Sequence, residues 1–319
     1  MGMSCLVLGG SGFLGSHLCE ALLKAGHQVK VLVSKGSSLC NLSGIINQIE
    51  VLRFNLNEAG KKDEIWGGLD RVFHLACTSR PKTANDDPAR DLEENLVSTV
   101  RILDRCAAND VGRIIFISSG GTVYGRPKNL PINEQHSVAP ICSHGIHKLA
   151  IEHYLHFYKN SRGLDYRVAR VANAYGERQT IYGNQGLVGT ILDRMLRGQV
   201  IHVYGKGENV RDYVYAADVV SALLRLAEED TSSRVFNVGS GCGWSVLDII
   251  GLVETTLGLK AEINFLPSRP MDVKKNILDI TRIRKETGWT PQVTMEKGVA
   301  RTATWWRKAM NNAIYSPQQ

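Results

Sequence analysis

The plainest chemistry in this chain is carried by three glycines near its start. The run Leu6-Val7-Leu8-Gly9-Gly10-Ser11-Gly12-Phe13-Leu14-Gly15 sets glycines at 9, 12 and 15 between a β-rich apolar stretch and a helical pattern. That spacing permits a tight turn, lets the backbone approach a pyrophosphate and allows a helix to pack closely on a strand, with the helix N-terminus facing the anion. The chemistry implied is dinucleotide binding. Where a carboxylate at the end of the second strand would hold the adenosine ribose of NAD, this chain has Val33, then Ser34 and Lys35. Loss of the carboxylate removes a ribose acceptor and a repulsive charge, so NAD is the expected cofactor while Ser34 and Lys35 leave room for NADP. The sequence offers no arginine there to hold a 2′-phosphate bidentately. A second candidate is Ser143-His144-Gly145-Ile146-His147-Lys148. His144 and Lys148 are four apart, which puts both on one face of a helix. An imidazole in ordinary surroundings titrates at about 6.5, so such a pair can move a proton near neutrality.

These groups need a scaffold, and the hydrophobic pattern supplies one. The apolar runs SCLVLG, QVKVLV, DRVFHLA and RIIFISS alternate with helical patterns over residues 15–25, 92–109 and 149–160, and LDYRVARVANAYG adds a strand leading to a loop. This alternation predicts βαβ units, hence a parallel sheet with helices on both faces. After about Gly176 the rhythm shifts to shorter helices and loops, with YGKGENVRDYVY turn-rich and RVFNVGSG a late strand. The expected architecture is α/β: a doubly wound parallel-sheet Rossmann domain over residues 1–176, to which part of 212–240 returns, and a smaller mixed α/β C-terminal substrate lobe over 177–319. Ligands of open α/β sheets lie at the carboxyl ends of the strands, where the cleft between the lobes would fall.

Composition narrows the partners. At 319 residues, 43% hydrophobic and 22% charged, the chain can bury a full core. The net charge of +7 and pI of about 9.0 come from dispersed basic residues without a nucleic-acid recognition motif, so anionic small molecules are expected and nucleic acid is not. No apolar run approaches the roughly 20 residues of a membrane helix, and no leader pattern precedes the glycine turn, so a cytoplasmic protein is expected. The seven cysteines, at 5, 19, 40, 77, 106, 142 and 242, are scattered, odd in number and without CxxC spacing. They read as reduced thiols, with no disulfide framework and no metal expected. Cys77 and Cys142 read as small packing residues and His147 as structural.

In chain order, GGSGFLGSH, FHLA at residues 73–76, Asn95, SSGGTVYG at 118–125 and Lys148 resemble the extended short-chain dehydrogenase/reductase family, in its epimerase/dehydratase branch acting on nucleotide sugars. VANAYGERQ at 171–179, YGKGENVRDYVYAADV at 204–219, FNVGSG at 236–241, RPMDV at 269–273 and GWTPQVTMEKGVARTATWW extend the likeness over nearly the whole chain. The resemblance implies cofactor contacts from Gly9, Gly12, Phe13, Leu14, Gly15, Ser34 and Lys35. Asn55 and Leu56 would flank the adenine, Asn55 standing where relatives carry Asp. Leu75 and Ala76 would line the cofactor, and Asn95 would help order the site. Asn173, Arg211, Arg269 and Asp272 would contact a nucleoside-diphosphate sugar, a task suited to the bidentate arginine fork. The apolar faces over 92–109 and 149–160 imply a homodimer joined through four helices.

The same resemblance exposes two replacements. Relatives use Tyr-x-x-x-Lys with a nearby Ser or Thr: the lysine bonds the nicotinamide ribose and favours a phenolate that takes a proton from the sugar hydroxyl. Here Lys148 remains, His144 occupies the tyrosine position, and Gly120 occupies the Ser/Thr position, with Thr122 two residues on. The expected catalytic set is therefore His144, Lys148 and Thr122. The activity implied is epimerisation at C4 through a 4-keto intermediate. A dehydratase, a 4-reductase, a 4-dehydrogenase and a non-catalytic dinucleotide or sugar-nucleotide sensor stand as alternatives.

Overall fold

A computed structural model describes residues 2–79, 81–179, 186–269 and 272–311. Strand β1 (Ser4–Leu8) shows why a central sheet forms. Its side chains alternate between two apolar clusters: Cys5 and Val7 pack with Leu18, Leu22 and Val219, while Leu6 and Leu8 pack with Ile102, Leu103, Ile151 and Leu155. A strand buried on both faces has to be covered on both faces, which parallel βαβ connections accomplish.

The chain continues through α1 (Phe13–Lys24), β2 (Gln28–Val33), β3 (Glu50–Arg53), α2 (Leu56–Ala59), β4 (Arg71–His74), α3 (Pro81–Asp86) and α4 (Pro88–Asp91). A π-helical turn over Leu92–Val97 leads to α5 (Ser98–Ala108), β5 (Arg113–Ser119), α6 (Ser143–Arg162) and β6 (Tyr166–Val171). Then come β7 (Asn173–Tyr175), α7 (Leu187–Leu196), β8 (Ile201–Tyr204), β9 (Val210–Tyr215), α8 (Ala216–Glu228) and β10 (Val235–Val238). The last elements are β11 (Gly243–Ser245), α9 (Val246–Leu257), β12 (Ile263–Leu266), β13 (Lys275–Asn276), α10 (Thr281–Thr287) and α11 (Met295–Asn311).

Seven strands form one parallel sheet in the order β10-β6-β5-β4-β1-β2-β3. The order reverses between β1 and β4, so the loops leaving these two strands open a crevice at the sheet's carboxyl edge. The fold is thus the doubly wound α/β arrangement expected. A smaller sheet joins β11, β9 and β13, with β7 added to β9, and β12 pairs with β8. A third apolar cluster, including Ile191, Leu192, Val253, Val299 and Trp306, packs α7, α9 and α11 around these strands.

Several elements differ from the sequence reading. Residues 92–109 are not one helix: the π-helical turn brings the Asn95 side chain within reach of Asp91 and of the loop after β4. The helix read over 149–160 begins six residues earlier at Ser143, where Cys142 is extended and the Asn85 side chain accepts from the Ser143 N–H. The run LDYRVARVANAYG divides at Ala172 into β6 and β7, which belong to different sheets. The turn-rich segment contains β9, and β3 has only four residues, too few to show a period. Pro270 and Met271 of the 269–273 segment lie outside the described residues. Among the described residues no helix is long and apolar enough to cross a membrane.

Asp212, fully buried in β9, ties the small sheet to two distant segments. It accepts from Ser240 N (2.8 Å), Ser240 Oγ (2.7 Å), Gly241 N (3.1 Å) and Leu278 N (3.2 Å). Burial pushes its carboxyl up to about 6 even though these donors pull the other way.

Candidate active site

The glycine turn is built as its composition requires. Gly9 has φ of 82°, in the left-handed region, and a Cβ there would lie 2.9 Å from both Cα and N of Ala76. A Cβ on Gly15 would lie 2.2 Å from the Gly9 carbonyl oxygen. The turn therefore closes against α1 and against the loop after β4 only because side chains are absent. Gly12 caps α1, and no acidic residue occupies the helix's first turn, so its free N–H groups can receive an anion.

In front of this turn lies a cavity of about 800 Å³. It is lined by Gly9, Gly12, Ser34, Asn55, Leu56, Leu75 and Ala76 from the sequence-derived set, and also by Ser11, Ser37, Cys77, Thr78, Arg90 and Glu94. The glycine cradle, the apolar walls and this volume fit a dinucleotide. Phe13, Leu14 and Gly15 stand just behind the turn in α1. Lys35 is turned to the Glu58 carboxylate, 2.8 Å away, and Glu58 also accepts from the Asn55 N–H. Arg53, ending β3, donates to the Lys35 and Ser37 carbonyls at 3.4 Å and so braces the loop after β2.

Asn95 fixes the loop after β4. Its Oδ1 accepts from Thr78 N (2.9 Å), and its Nδ2 donates to Thr78 Oγ1, Ser79 Oγ and the Asp91 carboxylate. Asp91 is 3% exposed and also accepts from Ser143 Oγ (2.9 Å), His147 Nδ1 (2.8 Å) and Ser79 Oγ. Burial works against its charge, but these partners outweigh it and hold the carboxyl below its ordinary value. With His147 Nδ1 engaged by Asp91, Nε2 is the ring nitrogen that faces Cys77 Sγ, 3.9 Å away.

His144 and Lys148 stand one turn apart at the head of α6. His144 Nδ1 lies 4.0 Å from the same Cys77 sulfur, and its ring meets that of His147 edge to face at 4.9 Å. Lys148, 5% exposed, donates to the Ile117 carbonyl (2.9 Å) and sits 4.7 Å from the Phe116 ring centre. Burial draws its pKa below the usual lysine value, against the attraction of Cys77, Asp91 and Glu152. For Cys77, burial acts to raise the pKa, but the Lys148 charge and both histidines prevail and bring the thiol well below its ordinary value. Thr122 is half-buried, and its Oγ1 is buried without a hydrogen-bond partner. A hydroxyl so placed forfeits roughly 1–3 kcal/mol unless a ligand completes it. A Cβ on Gly145 would lie 2.9 Å from the Thr122 carbonyl oxygen, so glycine at 145 lets the Thr122 loop rest against the helix beside His144.

Gly120 shows why the relatives' hydroxyl is not simply missing. A Cβ there would lie 2.6 Å from Leu278 Cδ1 and 3.0 Å from the Arg170 carbonyl oxygen. Gly120→Ser is expected to lower stability by about 1–3 kcal/mol through overpacking, without raising turnover. Paired urea unfolding and turnover measurements check this, and a serine variant that is both stable and faster would contradict it.

Of the residues expected to meet the sugar nucleotide, Asn173 and Arg211 lie on the small sheet, in β7 and β9, while Arg269 and Asp272 lie in the segment between β12 and β13. Arg269 grips Asp272 with Nε (3.2 Å) and Nη2 (3.0 Å) and stacks 4.2 Å from the centre of the Tyr204 ring. Half-buried Arg211 donates to the Val210 carbonyl, and burial lowers its pKa. It makes no pair with its neighbour Asp212, which faces Ser240 and Leu278. Asn173 donates to the Asp212 carbonyl at 2.9 Å, anchoring β7 on β9 next to Arg211. These four residues do not line the dinucleotide cavity. Sequence reading missed Cys77, Asp91 and His147 as one cluster, because 56 residues separate Asp91 from His147 and no local spacing joins them.

The model of the NAD dependent epimerase/dehydratase family matches residues 5–239. UDP-glucose 4-epimerase of Mycolicibacterium smegmatis is 35% identical over 312 residues, covering 96% of this chain and 99% of that protein. The crystal structure of UDP-glucose 4-epimerase from Thermotoga maritima with UDP-glucose superposes with a TM-score of 0.91 at 35% identity, covering 97% of this chain and 100% of that one. The Thermus thermophilus UDP-glucose 4-epimerase in complex with NAD gives 0.88 at 31% identity, covering 96% and 100%.

Proposed function

Because the chain belongs to the NAD-dependent epimerase/dehydratase family, we propose that it interconverts C4 epimers of a nucleoside-diphosphate sugar, a UDP-sugar first among them, with His144 carrying the proton. The observation that carries this reading is the placing of His144 and Lys148 one turn apart at the head of α6, with His144 against Cys77, which lines the cavity shaped for a dinucleotide, and the Thr122 hydroxyl buried and unpartnered in the loop that rests on the same helix. Bound NAD supplies reversible hydride exchange at the sugar carbon. His144 takes the C4 hydroxyl proton as the 4-keto sugar forms and returns it after the sugar has presented its other face. Lys148, now held by the Ile117 carbonyl, would hold the ribose of the nicotinamide half, and Thr122 would complete its hydroxyl on the substrate oxygen. Arg211 and Arg269 hold the diphosphate, Arg269 by exchanging Asp272 for phosphate oxygens, and Asn173 and Asp272 complete that subsite. The test is incubation of purified protein with UDP-glucose or UDP-galactose and NAD, followed by NMR of the sugar. Tight binding of both ligands without interconversion would point to the sensor instead.

NAD is the working cofactor in this reading, since the Lys35 ammonium is engaged by Glu58 and would have to leave it to meet a 2′-phosphate. Glu58→Gln should then narrow the affinity gap between NAD and NADP several-fold, read by calorimetry with each cofactor; an unchanged ratio would show that Lys35 plays no part.

The protein works as a homodimer. Ile146, Tyr154 and Phe157 fall within one face of α6 and are 51%, 40% and 55% exposed, and Val97 and Leu92 add apolar surface nearby in sequence to α5. Phe157→Glu is expected to yield a monomer by light scattering, and a dimer that survives the charge would place the interface elsewhere.

A further inference from the structure

We infer that Cys77, His144 and His147 form a site for one thiophilic divalent cation of the zinc type, and that loading it silences the proton transfer assigned to His144. The silencing rests on the catalytic reading above; the site itself does not.

The three potential ligand atoms all lie within 4.8 Å of one another, with Cys77 Sγ 4.0 Å from His144 Nδ1 and 3.9 Å from His147 Nε2. A tetrahedral zinc ion, with bonds near 2.3 Å to sulfur and 2.0–2.1 Å to nitrogen, sets its S···N pairs about 3.6 Å apart. The two sulfur-to-nitrogen pairs need to close by only a few tenths of an ångström, and the two imidazole nitrogens, within 4.8 Å of each other, by at most about 1.5 Å to reach the roughly 3.3 Å that two Zn–N bonds set, a shift that side-chain rotation supplies. One sulfur and two imidazoles are the donor set that zinc accepts and that magnesium and calcium refuse.

The surroundings match a ligand set better than three chance neighbours. His147 donates its remaining ring proton to Asp91 at 2.8 Å, and Asp91 is in turn fixed by Ser143, Ser79 and Asn95. This is the carboxylate–histidine support that metal-bound imidazoles carry, and it selects the tautomer whose Nε2 can ligate. A thiolate with the Asp91 carboxylate balances the charge of a divalent ion. Three protein ligands leave a fourth position for water.

Silencing follows from the count of lone pairs on His144. A neutral imidazole that ligates through Nδ1 carries its proton on Nε2, so neither nitrogen can accept the proton of a sugar hydroxyl. Metal and substrate proton compete for one nitrogen.

The test begins with chelator-stripped protein titrated with Co²⁺. One equivalent per chain should bind and give a thiolate-to-cobalt charge-transfer band, which Cys77→Ser removes. Asp91→Asn should weaken binding about 10–100-fold, with far-UV circular dichroism and cooperative thermal unfolding showing that both variants are folded. No band, or a band that survives Cys77→Ser, overturns the site. In the epimerase assay one equivalent of Zn²⁺ should suppress turnover and EDTA should restore it. Loaded protein as active as stripped protein overturns the silencing. Protein inactive in both forms overturns the silencing together with the catalytic reading, while the cobalt band still decides the site.

Discussion

His144→Ala is expected to lower kcat for sugar interconversion by about 10²–10⁴-fold, the usual worth of a positioned acid–base group, while leaving NAD binding within about twofold. The asymmetry follows from geometry. The dinucleotide cavity is walled by the glycine turn and by residues 54–57 and 75–78, of which only Cys77 touches the His144 ring, through one 4.0 Å contact, and Lys148 keeps its own anchor at the Ile117 carbonyl. Stopped-flow measurement of cofactor binding beside steady-state turnover separates the two effects. His144→Phe sharpens the experiment, since it preserves ring volume and contact with His147 but removes both nitrogens. Full activity in that variant would end the assignment of His144 as the base and direct attention to Cys77 or to water.

Glu152→Ala is expected to cost about 3–5 kcal/mol of stability, a large share of the 5–15 kcal/mol typical of a folded domain. Glu152 and Arg170 are each 6% exposed, joined by Nη2–Oε2 at 2.6 Å and by Nε contacts of 3.1 Å to both carboxylate oxygens. Ser118 donates to the same carboxylate, and the guanidinium lies 4.9 Å from the centre of the Tyr124 ring. Tyr124 in turn donates to Asn237 Oδ1 at 2.7 Å, so one ion pair joins β5, α6, β6 and β10 beneath the active site. Removing the carboxylate strands a buried cation with no water to solvate it. Urea unfolding should show the loss, and the double variant Glu152→Leu with Arg170→Leu should recover most of it, because replacing both partners leaves no unpaired charge. A double variant as unstable as the single one would locate the cost in packing.

These two residues mark what a reader of the sequence could and could not see. The glycine turn, the parallel sheet and the pairing of His144 with Lys148 are local: each depends on spacings of three to eight residues that strand and helix periods translate directly into position. The family resemblance is legible because its motifs recur in order along the chain. Glu152 gives no such signal, since a glutamate in a helix ordinarily reads as a solvated face, and only the packing of α6 on β5 and β6 turns it inward. The Asp91, His147 and Cys77 cluster is hidden for the same reason, as it is assembled by a helix, a π-helical turn and a loop meeting at one end of the sheet. The wider turn within residues 92–109 is not legible because it spans only six residues, too short a stretch for its different period to stand out from the α-helical pattern that follows. Lys35 was legible as a charge but not as a partner of Glu58, which comes from beyond the next strand.

The place of β10 in the sheet sets a schedule for synthesis. Its four residues cover the outer edge of β6, yet they emerge roughly 70 residues after β6 does, following the strands and helix of the second lobe. At about 5–20 residues per second the ribosome leaves that edge bare for several seconds, on the order of 3–14 s. Throughout this interval a row of unpaired N–H and C=O groups on Val168–Val171, flanked by apolar side chains, offers itself to any passing strand. A nascent chain that stalls between the two strands would be the most vulnerable form of this molecule, and the one for which a chaperone has the most to protect.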